Sequence, residues 1–510
     1  MPNNQKSIKY NFIMNVVLTL SNLFFPIISF PYVSRVLTPA GNGRVSTALS
    51  VIAFFNIFAQ LGIPTYGVKA CAKVRDNHEE LTRTAHELLM INLIMSIVMY
   101  ILLVITILFL PVLRDEKTLY VIVSSTIFLT SLGMEWLYKA LEQYTYITIR
   151  SMIFKFLALG LMFLLVHSEN DYAIYGFVSI FASSASNILN LINVRKYIDI
   201  KPVGGYNFLR HLKPVGVFFA MACATTVYTN LDRVMIRFMI DDIETGLYDA
   251  AVKIKSILLG LVTSLGAVLL PRVSYYIENN RREEFRGVIA KAFNFVFVFA
   301  SAVTVYFAIM ARPSILLLSG DMYVGAIEPM RIIIPTVLLI GISNILGIQM
   351  LVPLGREKEV LFAEIGGAIL DVIINLLLIQ RFLSSGAAIG TLAAEIFVTT
   401  YMLIILRKEL KGLIDKINAT KILAALSIAT ALMLVSLYST RTFIHYDMNS
   451  SIGTLNDLIG NVRWINELNS LIELMITFAV FVVAYIVFLL VLKEKTITET
   501  IGKLAKNRQK

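Results

Sequence analysis

The stretch FIMNVVLTLSNLFFPIISFPYV, from Phe12 to Val33, carries no charged side chain from end to end. A bilayer hydrocarbon core about 30 Å thick is crossed by roughly 20 apolar residues in α-helix, the form in which a chain satisfies its own backbone donors and acceptors in lipid. A secretory leader has a shorter apolar core followed by a small-residue cleavage site. This stretch shows neither feature, so it is expected to be a retained first membrane helix.

The pattern repeats along the chain. A window of roughly 20 residues finds about 14 apolar segments. They lie near residues 11–33, 45–65, 88–113, 119–137, 146–166, 172–194, 214–236, 247–270, 289–311, 330–353, 359–382, 386–406, 421–440 and 470–492. Composition agrees: 57% of the 510 residues are hydrophobic and 15% charged, with a mean hydropathy of +0.75. Soluble domains carry about 25% charged residues. The predicted class is an all-α membrane protein.

The formal net charge of +11 does not point to nucleic acid, because the basic residues sit in short connections between apolar runs and gather on no single face. Lys69, Lys73, Arg75 and Arg83 follow the second segment. Arg195, Lys196, Lys201, Arg210 and Lys213 follow the sixth, and Arg272, Arg281, Arg282 and Arg286 the eighth. Arg407, Lys408, Lys411 and Lys416 follow the twelfth, and Lys503, Lys506, Arg508 and Lys510 end the chain. About 29 Lys and Arg fall on this side and about 9 on the other, the asymmetry that marks the cytoplasmic face. Both termini are expected in the cytoplasm of a bacterium, with the chain in its inner membrane. Basic loops facing anionic headgroups account for the charge.

The connection from Arg195 to Lys213, with Pro202, Gly204 and Gly205, separates two blocks that echo each other. Ser34-Arg35-Val36-Leu37 with Gly43 in the first block parallels Asp232-Arg233-Val234-Met235 with Gly246 in the second. Residues 1–200 and 201–412 are therefore expected to form two six-helix lobes, a plan in which a substrate path runs at the seam. Residues 413–510 are expected to add two accessory helices joined by the polar segment Arg441–Ser470.

An ionisable residue inside a span costs at least about 2.5–3.5 kcal/mol unless it faces protein or water. Glu364, Asp371 and Asn375 are spaced by seven and four, one helical face, and Thr391 and Glu395 are again four apart. With Asp232 they are candidates to bind a coupling Na⁺ or relay H⁺; structural pairing with Arg331 or Lys253, or a place in hydrated helix ends, is the alternative. Arg150, Lys155, Lys253 and Arg331 are candidates to meet a phosphate in a cavity, and Arg35 joins them. Lys253 and Lys255 cannot share a helical face, Lys253 has Asp249 one turn back as an alternative partner, and Arg150 has snorkelling to the cytoplasmic end as its alternative. Asn11, Asn15 and Asn22, and Asn56 with Gln60, form amide stripes that either join helices or receive sugar hydroxyls.

Enzyme and cofactor signatures are missing. The sequence holds no G-x-x-x-x-G-K-[ST], no H-E-x-x-H and no G-x-S-x-G. His78, His86, His167, His211 and His445 show no metal-ligand cluster in sequence, and Cys71 and Cys223 read as packing residues. Asn449-Ser450-Ser451 fits a glycosylation sequon that decides nothing. No enzyme activity and no resident cofactor are expected.

The connections themselves carry a resemblance. Pro31-Tyr32-Val33-Ser34-Arg35-Val36-Leu37-Thr38-Pro39, then Gly62-Ile63-Pro64-Thr65-Tyr66-Gly67 with Ala72 and Arg75, then Gly246-Leu247-Tyr248-Asp249-Ala250-Ala251-Val252-Lys253-Ile254, resemble segments of bacterial polysaccharide flippases. Leu354-Gly355-Arg356-Glu357-Lys358 and Gly386-Ala387-Ala388-Ile389-Gly390-Thr391 through Glu395 do so too, over about 400 residues in all. The family is the Wzx-type branch of the multidrug/oligosaccharidyl-lipid/polysaccharide (MOP) exporters. The resemblance implies a V-shaped, MATE-like pair of lobes that carries a polyprenyl-pyrophosphate-linked oligosaccharide across the bilayer by alternating access, supplied by glycosyltransferases and feeding a polysaccharide polymerase for capsule or O-antigen. Drug-exporting relatives often place an acid in the first helix, and none lies between Phe12 and Val33. A lipid II flippase and a MATE-like drug/cation antiporter are the alternatives.

Overall fold

A computed structural model describes residues 8–411, 413, 418–443, 462–494 and 498. Helix dominates throughout, as a chain that must satisfy its backbone without water requires. Ten helices among the described residues are long and apolar enough to cross a membrane, or eleven when one bent pair counts as a single crossing. Two of them hold two of the expected segments each. Helix α1 (Ile8–Gln60) is interrupted at Thr38, with φ 63° and ψ 174°, into a first and a second leg. The chain divides into two compact units, Met1–Asp249 and Ala250–Lys510.

The first unit contains α1, α2 (Ile63–Lys73), α3 (His78–Phe109), α4 (Lys117–Gly133), α5 (Tyr144–Leu165), α6 (Tyr172–Ile180) and α7 (Leu209–Met239), with the head of α8 (Asp242–Glu278). Hydrogen bonds fix their directions. Thr148 Oγ1 donates to Met14 O at 2.9 Å and Tyr32 OH to Val166 O at 2.7 Å, so the first leg of α1 runs parallel to α5. Arg44 meets Glu116 at one end of the second leg while Gln60 meets Ser131 at the other, so that leg runs parallel to α4. Asn92 and Ser96 of α3 bond to Gln60 O and Ser131 at that same end. Thr38 and Gln60 mark the two ends of the second leg.

Between α1, α3, α4 and α5 lies a core that includes Val33, Leu37, Ile52, Ile127 and Met162. Lipid is as apolar as these side chains, so burial alone does not drive such helices together. A polar knot does part of that work. Gln60 Nε2 donates to Ser131 Oγ at 2.7 Å and to Thr130 Oγ1 at 3.1 Å. Thr130 Oγ1 donates to Asn56 Oδ1 at 3.0 Å, and the hydroxyls of Ser96 and Ser131 are 2.7 Å apart. Asn92 Nδ2 donates to Ala59 O at 3.1 Å. Bonds of this kind contribute roughly 0.6 kcal/mol each in a membrane bundle.

The second unit contains α9 (Arg282–Ile309), the bent pair Asp321–Ile333 and Thr336–Leu351, α10 (Glu357–Ile405), α11 (Ala419–Phe443) and α12 (Val462–Val491). The expected segment 330–353 is bent by 42°, at Pro335, which has no N–H for the helical ladder. Helix α10 is interrupted at Leu383, with φ 54° and ψ −135°. The predicted accessory helices appear as α11 and α12. They bury Ile422, Met433, Phe481 and Leu489 with Tyr306 and Met310, and Tyr306 OH donates to Leu474 O at 2.9 Å. The sequon at Asn449 and the basic tail lie outside the described residues.

Candidate functional site

The first leg of α1 is exposed on two faces of opposite character. Asn15, Thr19 and Asn22, spaced by four and three, share one face, and all three are exposed. Leu20, Phe24 and Ile28, spaced by four, share the other and are also exposed, Phe24 by 59%. At 100° per residue the two faces are nearly opposite. One suits acyl chains and the other suits water.

Lys155 of α5 stands behind the polar face. Its Nζ donates to Ser21 Oγ at 2.8 Å and also to Asn22 Oδ1. Arg150, five residues earlier, does not snorkel to the membrane surface. It is 3% exposed, donates to Asn187 Oδ1 at 2.9 Å and pairs with Glu135 at 3.1 Å. Gly133 makes room for this group, because a Cβ there would stand 2.5 Å from Asn187 Cβ. Arg35 is half-buried and donates to Pro31 O at 2.6 Å, a carbonyl one turn back in its own helix. Asn56 and Gln60 belong to the polar knot, so their amides join helices.

Asp232 of α7 is buried and accepts a hydrogen bond from Tyr248 OH of α8. Asp249 is held by Arg233 at 2.8 Å, a residue on the preceding helix that helical spacing alone does not offer as a partner. Lys253 is half-buried on α8.

In the second unit the two legs of α10 approach each other where Asp371 and Asn375 face Gly390. Asp371, Asn375, Thr391 and Glu395 are all buried, and Glu364 is half-buried. A Cβ on Gly390 would stand 2.1 Å from Asn375 Oδ1 and 2.8 Å from Asp371 Oδ1. Two oxygens four residues apart on the first leg thus converge on the bare Cα of Gly390 on the second. Thr391 Oγ1, next to it, donates to Ala387 O at 3.1 Å. Oxygen donors gathered in this way suit a hard cation. Arg331 is exposed.

Some charged groups escaped sequence reading. Glu87 is fully buried and accepts from Asn207 N at 2.6 Å, from Arg210 Nε at 2.9 Å and from His211 Nε2 at 2.6 Å. His211 Nδ1 lies 2.8 Å from Tyr66 OH. His78 meets Asp199 at 3.0 Å, and His86 meets Asp199 O at 2.8 Å and Tyr206 OH at 3.0 Å. Three histidines that look scattered in sequence therefore fasten one connection, residues 199–211, to α2 and α3. A Glu within one turn of an apolar run was the available signal for Glu87.

A family model described as polysaccharide biosynthesis protein matches residues 8–277, more than half of the chain. A proposed O-antigen transporter of Escherichia coli (strain K12) is 24% identical over 413 residues, spanning 80% of this chain and 99% of that protein. Its counterpart in Shigella dysenteriae is 25% identical over 399 residues, spanning 78% of this chain and 99% of that protein. Among solved structures, the lipid II flippase MurJ in an inward closed conformation aligns with TM-score 0.67 and 15% identity, over 95% of this chain and all of that one. An inward-facing multidrug resistance MATE family transporter of the MOP superfamily aligns with TM-score 0.56 and 16% identity, over 78% of this chain and 96% of that one. At such identities the structures speak for the fold, and the family match speaks for descent. The chain is an integral, multi-pass membrane protein with a MOP-type fold, and it belongs to the polysaccharide biosynthesis protein family.

Proposed function

We propose that this protein carries a polyprenyl-pyrophosphate-linked oligosaccharide from the cytoplasmic to the outer leaflet by alternating access. The observation that carries this reading is the exposed polar face Asn15–Thr19–Asn22, backed by Lys155, on a helix whose other exposed face is apolar. A polar strip at that depth is costly against acyl chains and natural against a wet path. Such a path is what the cargo needs, since unsolvated hydroxyls cost several kcal/mol each in hydrocarbon and a pyrophosphate far more.

In this reading the two legs of α1 and of α10 each cross separately, and α8 crosses as well. With the bent pair this gives about 14 crossings and cytoplasmic termini, in line with the basic loops. The Thr38 end of the first unit then faces outward. Lys155 meets the pyrophosphate, whose charge a desolvated ammonium stabilises strongly; Lys253 is tested separately as a second such group. Asp371, Asn375 and Thr391, with Glu395 and Glu364 on the same helix, form the coupling set for Na⁺ or H⁺ in the second unit. Upstream glycosyltransferases and a downstream polymerase complete the pathway.

The test is export of surface polymer in cells carrying Lys155→Ala or Lys253→Ala at normal membrane levels. Export is expected to fall at least tenfold in each. Export at the parent rate in both variants would remove the basic cargo site. A lipid II flippase is the neighbouring reading on the same fold. Loss of the protein would then stop growth, whereas loss of a surface-polymer flippase strips only the polymer.

A further inference from the structure

Two first turns of helix cross in the first unit at unusually short range. One is Pro39–Gly43, which opens the second leg of α1, and the other is Asp242–Gly246, which opens α8. A Cβ on Gly43 would stand 1.8 Å from Asp242 O, and a Cβ on Gly246 would stand 1.9 Å from Pro39 O. Each glycine meets the carbonyl four residues ahead of the other. The contact is reciprocal, the pattern of a two-fold interface in which the same patch meets itself.

These are the two glycines that correspond in the sequence echo, Gly43 after Arg35-Val36 and Gly246 after Arg233-Val234. The equivalent points of the two blocks therefore touch each other. Only glycine permits this approach, which brings each Cα–H against a carbonyl oxygen. The crossing also sets two helix N-termini side by side, where like partial charges repel. Acids and arginines around it answer that repulsion. Asp242 pairs with Arg237 at 2.7 Å and with Arg44 at 3.3 Å, and Arg44 pairs with Glu116 at 3.2 Å. The Arg44 guanidinium also lies 5.0 Å from the centre of the Tyr172 ring.

We propose that the Gly43–Gly246 crossing, with its Arg44–Asp242 pair, is a releasable clasp that closes the outer end of the transport path and must part for cargo to leave. The proposal rests on the flippase reading for its role and on the crossing itself for its mechanics. At its closest point the crossing consists of two bare backbones flanked by ion pairs, with no side chain of either glycine to hold them. A single methyl on either glycine would hold the turns apart.

The test uses the full chain with Cys71 and Cys223 replaced, spin-labelled at Asp115→Cys and Ile243→Cys, two exposed positions beside the clasp. The parent should show one short distance by pulsed dipolar spectroscopy. Gly43→Ala with Gly246→Ala should move the population to longer distances by at least tenfold, while Gly160→Ala, with nothing within 4 Å of its added Cβ, should leave it in place. Should the double alanine variant not fold, Arg44→Gln should move the population in the same direction by about threefold, taking one surface ion pair as the loss. Unchanged distances in the folded alanine variant, or in Arg44→Gln, overturn the clasp. A second arm bridges Arg44→Cys to Asp242→Cys with a short bis-thiol reagent. Export should stop on bridging and return on reduction, and export that continues while bridged also overturns the proposal. A parent that exports no polymer sinks the flippase reading, and the distance measurement still decides whether the turns separate.

Discussion

Gly390→Ala is the smallest change that tests the proposed coupling-ion site. The added methyl would stand 2.1 Å from Asn375 Oδ1 and 2.8 Å from Asp371 Oδ1. Ordinary contact begins near 3.4 Å, so the Asn375 oxygen must retreat by more than about 1 Å, and overpacking of that kind costs roughly 1–3 kcal/mol. Alanine returns at most about 1 kcal/mol through its better helix propensity. The larger effect falls on binding. Hard-cation ligands lie within a few tenths of an ångström of about 2.4 Å, and an oxygen displaced by 1 Å no longer coordinates. Loss of one such ligand is expected to weaken Na⁺ binding at least tenfold, about 1.4 kcal/mol. The assay is the rise in unfolding temperature of the purified protein with added NaCl against an equal concentration of choline chloride, since a ligand bound only by the native state stabilises it by mass action. The parent should be stabilised by Na⁺, Gly390→Ala should need at least ten times more Na⁺ for the same rise, and Gly160→Ala should match the parent. A Gly390→Ala protein that folds and responds to Na⁺ as the parent does would refute the convergence of these oxygens on an ion. A parent indifferent to Na⁺ but stabilised on acidification would assign the set to protons.

Two further outcomes follow from buried charge. Arg150→Met removes a guanidinium bonded to Asn187 and Glu135; because Glu135 keeps Lys139 at 2.9 Å, the loss should be about 1.5–3 kcal/mol, read as a lower unfolding temperature. Arg150→Lys should not restore it, since an ammonium cannot fork to both partners. Glu87→Gln puts an amide donor where Arg210 and His211 donate. Trypsin should then cut the connection after Arg210, which Glu87 otherwise holds, at least threefold faster, as expected when a fastened segment opens more often, and an unaltered rate would show that the connection is held by other contacts.

The apolar runs were legible because insertion into lipid is decided by composition over about 20 residues. The places where two runs meet were not. Thr38 and Leu383 take left-handed backbone angles that no sequence rule favours for these residues, and the chain continues as helix on both sides. Asp371 and Asn375 were visible as a helical stripe. Gly390 stood out only within a familiar motif, because its role depends on how two legs of one helix approach. Lys155 was legible as a charge out of place. For Arg150 the sequence offered a phosphate contact or snorkelling and missed the partner Glu135, which belongs to a short helix, Glu135–Ala140, that no apolar run announces. The repeat echo was faint in sequence, yet it located the two glycines that cross.

The knot of Gln60, Thr130, Ser131, Ser96 and Asn92 also bears on how the protein is made. Its hydroxyls and amides come from α1, α3 and α4; Asn92 can bond to α1 once α3 emerges, but the Gln60 amide and the Ser96 hydroxyl meet Ser131 only after α4 has left the ribosome. A nascent chain halted before Ser131 would hold stranded amides in a greasy environment, where quality-control proteases and insertion chaperones recognise unassembled segments. Biogenesis of the first unit is therefore expected to hinge on a wait: early helices linger at the insertion machinery until α4 arrives, and only then settle into the bilayer together.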